Sequence, residues 1–257
     1  MKTVNESNAD YHSSPAISAS GLKYIWKKSV WHYLNQQPYE SESLSLGTAV
    51  HTALLEPERF YEDYIVTPKF DGRTKEGKAQ KAAFMERAEK EKKELLDADS
   101  YNKITAILEN FRKNEAAQKY TKGDIEVSHY TGFNGVEVRV RPDCINRISN
   151  FISDPKTCQD NSPKAFIRDV YKWGYHLQAA FYCDALGIEK PEENFIFIAC
   201  ETNHPYSVQC YTLGEEHIER GREAYRQALA DWQFYLDTGI ALGYNGYETT
   251  DDGVIIL

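Results

Sequence analysis

Two hydrophobic periods run along this chain. Up to about residue 120, apolar positions recur at three- and four-residue spacing, the mark of amphipathic helices. From about residue 124 they alternate, the mark of half-buried strands. Residues 1–15 read as a flexible arm. "SPAISASGLKYIWKKSVWHYLNQQP" predicts a helix entered at Ser18 or Ser20, either of which suits an N-cap, and stopped before Pro38. "SLSLGTAVHTALLEP", 43–57, predicts a helix that starts near Gly47 and ends before Pro57, with Val50, Ala53 and Leu54 as its apolar stripe and His51 beside it. Residues 66–120 begin as a basic loop and continue as one or two long polar helices. The charge run at 86–94 reads as a solvated helix face.

The alternating part predicts a hairpin, with strands near 124–131 and 135–147 around the turn "GFNG", and a short third strand at "NFISD". A helical region from "SPKAF" closes at Gly187. Two further strands, "NFIFIACET" and "YSVQCYTL", precede a long last helix from "GEEHIERG". Helices followed by a βββ–α–ββ–α order predict an α+β or α/β core with an N-terminal helical region. The expected division is 1–120 for the helical region and 121–257 for the core, packed as one unit.

Composition narrows the function classes. The chain has 257 residues, 41% of them hydrophobic, enough for a sizeable core. Mean hydropathy is -0.62, and no apolar run nears the ~20 residues that cross a bilayer. The polar N-terminus lacks the apolar stretch of a signal peptide. The five cysteines are dispersed with no CxxC pair, so neither a zinc knuckle nor a disulfide framework is indicated. A reducing cytoplasmic setting is expected. A net charge of -9 argues against a protein that simply coats nucleic acid. It leaves open an enzyme that gathers a basic groove and bound cations in one place.

Candidate chemistry starts with "DPK". Asp154 and Lys156 stand two apart and share one face if the segment is a strand. Asp143 ends the preceding strand, eleven positions upstream, so adjacent strands can bring both carboxylates to one end of a sheet. Two carboxylates suit a hard divalent cation, and a lysine beside them can orient a water or a phosphate. Pro155 lacks an N–H but keeps a carbonyl that a cation can use, and its missing donor predicts a strand end or an edge. From spacing alone an ordinary surface ion pair remains open. Gln178 and Tyr182 share a helix face, with Tyr175 close to it; amphipathic packing explains them equally well. His51 could be a hydrogen-bonded core histidine. Trp26, Trp31 and Tyr33 could stack bases or pack the first helix.

Six separated motifs agree in type and order with one family. "SASGL", "LGTAVHTALLEPERF", "GRTKEGKA", "RPD", "DPKT" and "YHLQAAFY" resemble the RecE (exonuclease VIII) group of phage exonucleases, in the PD-(D/E)xK nuclease superfamily, with lambda exonuclease and the RecB nuclease domain as more distant relatives. The resemblance runs from about residue 11 to about residue 240. It implies a restriction-endonuclease-like core: a central mixed sheet flanked by helices. It implies that His51, Asp143, Asp154 and the Pro155 carbonyl hold metal, Mg²⁺ or Mn²⁺, as two ions per site. Lys156 would orient the nucleophilic water, making Asp143, Asp154 and Lys156 the catalytic set. Gln178 and Tyr182 would line the site and contact DNA, and the loop with Arg73, Lys75 and Lys78 would lie near the DNA path. Two features depart from the family pattern. Pro155 stands where relatives carry an aliphatic residue, which is expected to shift the strand locally, and the C-terminal "YNGYETTDDGVIIL" fits poorly.

The activity this resemblance implies is 5′-to-3′ digestion of one strand of linear duplex DNA, leaving a 3′ single strand for recombination by annealing. It implies a homo-oligomeric ring with its basic surface inside, a single-strand annealing protein as partner, and a phage or prophage origin in a bacterial cytoplasm. The rival readings are a related nuclease of other specificity, endonuclease or single-strand exonuclease, and a catalytically weak protein that binds DNA ends.

Overall fold

The first fifteen residues do not form a loose arm. They add strand β1 (Lys2–Val4) and helix α1 (Asn8–Ser13), and β1 pairs antiparallel with a later strand, Lys2 opposite Tyr130. Tyr11 of α1 is buried, with its ring 4.9 Å from the Arg139 guanidinium. That cation–π contact anchors a segment whose polar sequence hides it. The structure is a computed structural model and describes residues 1–37, 42–133, 135–244, 250–252 and 254–255. The expected stop at Pro38, Asn134 of the predicted turn, and positions 245–249, 253 and 256–257 of the C-terminal tail lie outside the described residues.

The helix expected over 18–37 is two helices. After β2 (Ile17–Ser18), Ser18 caps α2 (Ala19–Lys27) by accepting from the Gly21 N–H. Ser29 then caps α3 (Val30–Leu34) by accepting from His32 N–H. A second N-cap restarts the helix in a new direction. Next come α4 (Glu42–Leu55), which begins earlier than Gly47, and α5 (Pro57–Asp63), with Pro57 at its start as a residue lacking N–H allows. The segment expected as loop and polar helices also holds a small parallel pair, β3 (Tyr64–Val66) with β4 (Glu94–Leu96), around α6 (Lys75–Lys90). Helices α7 (Ala98–Lys113) and α8 (Glu115–Tyr120) complete the helical part.

The predicted hairpin resolves into four strands: β5 (Asp124–Ile125), β6 (Ser128–Phe133), β7 (Val136–Val140) and β8 (Cys144–Asn146). Glu126 at φ 49° interrupts the first run and Pro142 the second. Strand β9 (Phe151–Cys158) runs on through "DPKT", well past the expected "NFISD". The following helical region is α9 (Pro163–Trp173) and α10 (Tyr175–Leu186), split by Gly174 at φ 68°. The short α11 (Pro191–Asn194), β10 (Phe195–Glu201), β11 (Val208–Tyr211) and α12 (Glu215–Thr238) follow.

Two main sheets result. One has the order β1-β6-β7-β2, the other β11-β10-β9-β8-β5. In the second, β9 and β10 are parallel, joined by the α9–α11 crossover, and the remaining pairs are antiparallel. This mixed sheet, covered by helices, is the architecture the sequence implied. Both faces are buried. Phe195, Phe197 and Ala199 of β10 join a core with α2, α10 and α12, while Ile198 and Cys200 join a second core with α4, α7 and α8. Alternation along one strand feeds both layers. Among the described residues, no helix is long and apolar enough to cross a membrane.

The crossing of α10 with α12 leaves no room for a side chain at Gly221, where a Cβ would stand 2.2 Å from the His176 carbonyl oxygen. Gly221→Ala is expected to destabilise the fold by about 1–3 kcal/mol, read as a lower denaturation midpoint at unchanged m-value. An unchanged midpoint would show that the two helices separate at no cost.

Candidate active site

The site forms where β9 loses a neighbour. Strand β8 pairs with β9 only through residues 151–153, so from Asp154 onward β9 is bonded on its β10 side alone. Pro155 sits opposite Ile198 in unbroken register. Its carbonyl oxygen accepts from His51 Nε2 at 3.0 Å, away from β10. The N–H that proline lacks would therefore have faced the open edge, where no strand needs it. Pro155 marks an edge, as its missing donor predicted, but it neither ends nor displaces the strand.

Each side chain arrives from a different element. Asp154 and Lys156 share the face of β9 that looks toward α10, with Lys156 Nζ hydrogen-bonded to Asp154 Oδ1. Asp143 lies on the bend between β7 and β8, its carbonyl accepting from Glu126 N–H at 3.2 Å. His51 comes from α4, which packs along β9 closely enough that a Cβ on Gly47 would lie 3.3 Å from Thr157 Oγ1. Ala49, Val50, Ala53 and Leu54 bury the rest of that helix. This packing aims the imidazole at Asp143, with Nε2 3.0 Å from Oδ2. One ligand atom from each of His51, Asp143 and Asp154 falls within 4.8 Å of the others.

Charge is concentrated here. Burial, and then the neighbouring Asp143 charge, raise the Asp154 carboxyl well above the usual carboxylate range. Burial also acts to raise Asp143, but the His51 imidazolium outweighs it and holds Asp143 well below that range. Burial disfavours the charged His51 ring, yet Asp143 pushes it up to about 9. Partial burial also disfavours the charged Lys156 amine, yet Asp154 and Asp143 raise it above its ordinary value. Two acids and two bases thus hold one another in place.

The donor set fits a divalent cation. Two carboxylates, a backbone carbonyl and an imidazole converge, and Asp143 Oδ2 is buried without an aligned hydrogen-bond donor. Hard oxygen ligands with one imidazole suit Mg²⁺ or Mn²⁺. A ligating His51 would have to give up the Nε2 proton that now faces Asp143 and Pro155.

Gln178 is part of the cluster. Its Nε2 donates to Asp154 Oδ2 at 2.6 Å, and its Oε1 accepts from Lys23 Nζ at 3.0 Å. An ammonium only donates, so Lys23 fixes which way the amide points. Tyr182 is one step back: its hydroxyl donates to the Arg141 carbonyl at 3.3 Å, two residues before Asp143. Arg73, Lys75 and Lys78 are exposed around the start of α6, with Arg73 paired to Asp71. Trp26 and Trp31 are partly exposed, and Tyr33 packs edge-on against Trp232. Sequence reasoning missed Lys23. The signal was available: Lys23 and Lys27 are one turn apart on a helix whose next face, Leu22 and Ile25, is buried.

Residues 18–238 match the family described as a PDDEXK-like domain of unknown function (DUF3799). A crystal structure of a candidate exonuclease from Eubacterium rectale is similar at TM-score 0.62 and 14% identity, covering 93% of this chain and 89% of its own. At that identity the likeness speaks to the fold. A second solved structure, of SSO0001, has 15% identity, a TM-score of 0.29 and coverage of 80% of this chain and 84% of its own, and carries no argument. No curated protein matches the sequence. The helix-covered mixed sheet, the Asp-x-Lys on its open-edged strand and the match over most of the length place this chain in the PDDEXK-like family DUF3799, within the PD-(D/E)xK nuclease superfamily.

Proposed function

We propose that this protein is a divalent-cation-dependent exodeoxyribonuclease of the RecE type. It digests one strand of linear duplex DNA from the 5′ end and leaves a 3′ single-stranded tail. The observation that carries this reading is the convergence of His51, Asp143 and Asp154 on one point, with Lys156 beside Asp154. Surface ion pairs do not come with a second carboxylate from another element and a half-buried imidazole.

His51, Asp143, Asp154 and the Pro155 carbonyl would hold the cation, Mg²⁺ or Mn²⁺, and two ions fit the family pattern. When bound, such an ion supplies charge neutralisation at the scissile phosphate and a lowered pKa for water. The chain's own residues do the rest. Lys156 presents a half-buried ammonium to the water and to the phosphate charge that develops during in-line attack. Gln178, steered by Lys23, keeps Asp154 from rotating. Tyr182 ties helix α10 to the Arg141 backbone and so steadies the approach to Asp143. Arg73, Lys75 and Lys78, exposed around the start of α6, suit a contact with DNA along its path. A homo-oligomeric ring, an annealing partner protein and a phage or prophage source belong to the same reading and rest on the sequence resemblance.

Two outcomes are expected. Mn²⁺ at a hundredfold excess over its dissociation constant stabilises the folded chain by about 2.7 kcal/mol, a rise in melting temperature of several degrees. Asp143→Asn abolishes that rise relative to its own cation-free baseline; an equal rise in the variant places the cation elsewhere. Duplexes labelled separately at the 5′ and 3′ ends, with and without Mg²⁺, read the activity. Mg²⁺-dependent early release of the 5′ label is expected, with Lys156→Ala reduced at least about 100-fold. Cutting of covalently closed circles would make the protein an endonuclease. No digestion of any DNA by the parent chain would leave an end-binding protein.

A further inference from the structure

Four lysines and two aromatic rings form an alternating row that begins inside the site and ends at the surface. Lys156 Nζ lies 5.3 Å from the centre of the Tyr175 ring, and Lys23 Nζ lies 5.9 Å from the same ring. One turn further along α2, Lys27 Nζ lies 5.8 Å from the centre of the Trp173 ring, and Lys172 Nζ lies 4.7 Å from it. Lys27 also donates to the Lys172 carbonyl. The break at Gly174 makes the row possible. A Cβ there would stand 3.2 Å from Lys23 Cγ and Cδ and 3.6 Å from Lys27 Cε, so the two lysine stems cross the α9–α10 junction over a bare backbone.

The row is short of negative partners in an acidic protein. Arg59, Arg87, Lys103, Lys190 and Arg220 pair with carboxylates three or four residues away in sequence. Among the described residues, Lys23, Lys27 and Lys172 make no such ion pair. Burial, and then the neighbouring Lys156, lower Lys23 to about 8 against the opposing pull of Asp154 and Asp143. Trp173 is 49% exposed, although it ends a helix with a buried face. With Lys172, Arg168 and Tyr175 it lines an open groove of about 560 Å³ that reaches Thr157 of β9, next to Lys156. Asp160 and Asp169 also border this groove; the Asp160 carboxylate accepts from Ser162 N–H at 2.8 Å.

We propose that this row is the track along which an unpaired DNA strand enters the site, with phosphates on Lys172, Lys27 and Lys23 and a base packed on Trp173. A positive groove interleaved with aromatic rings is how single strands are held without sequence preference. A ring can receive a base only when that base has left the duplex stack. The lysines sit on flexible stems, so an ammonium now resting on Trp173 can move to a phosphate as a base takes its place. The cations beyond the first charge of the site give the strand its path, and Tyr175 joins that path to Lys156. This assignment rests on the nuclease reading, because it names the form of DNA that the same site accepts.

Binding of a fluorescein-labelled oligonucleotide, measured by anisotropy in EDTA so that no strand is cut, tests it. Trp173→Ala is expected to weaken single-strand binding about tenfold or more, and Trp173→Phe to keep most of the affinity. Lys27→Ala combined with Lys172→Ala is expected to lower the log–log salt slope by roughly 0.7 for each lysine removed. Lys190→Ala, away from the row, should leave both unchanged. The proposal is overturned if the parent chain does not bind the single strand, if Trp173→Ala binds as the parent does, or if Lys190→Ala weakens binding equally. An RNA of the same sequence bound more tightly than the DNA also overturns it. Digestion assays on the same proteins separate the two readings. Parent binding that depends on Trp173 without any digestion keeps the track and removes the nuclease. Digestion with KM unchanged in Trp173→Ala keeps the nuclease and removes the track.

Discussion

The one-sided pairing of β9 governs the site. Through residue 153 the strand has partners on both edges; beyond it only β10 holds it, through parallel pairs from Phe195 opposite Ile152 to Glu201 opposite Cys158. A strand bonded on one edge is rigid enough to fix Asp154 and Lys156 on one face. Its free edge leaves the Pro155 carbonyl available to a helix side chain. Helix α4 occupies that side and delivers His51. Had β8 continued alongside, the carbonyl would have been spent within the sheet and the imidazole shut out.

The electrostatics follow from this placement. Asp143 and Asp154 are close enough to disfavour each other's charge, and burial adds to the penalty at both. His51 and Lys156 offset it from opposite sides, one from the helical layer and one from the strand itself. Such a buried arrangement is poor evidence for stability, because desolvation opposes each ion pair. It is a much better match to a site that trades these internal contacts for a cation and a phosphate. Lys23 extends the same logic one shell outward. Through Gln178 it settles the orientation of an amide that Asp154 needs, and it brings α2 into the chemistry.

The β9–β10 sheet also brings residues of the helical part and of the strand part to one site. Phe197 and Ala199 face α10 and α12, while Ile198 and Cys200 face α4 and α7. Each layer contributes a different functional group to the same strand edge: His51 from one side, Gln178 and Lys23 from the other.

Much of this was legible in the chain itself. The change of period near residue 124, the stops at Gly187 and Pro57, and the pairing of Asp154 with Lys156 on one face depend on local geometry, which short-range spacing encodes. The cap at Ser18 is local in the same sense. What spacing could not encode was decided by contacts between distant segments. The polar arm became ordered because Tyr11 found Arg139. "DPK" lies inside a strand because β10 pairs with it and the missing proline N–H meets an open edge. Lys23 belongs to the site because Gly174, about 150 positions away in sequence, gives its stem a bare backbone to cross. Residue types and their local spacing determined which chemistry this chain carries; tertiary packing alone decided which groups meet, since meeting depends on distances that no sequence interval records.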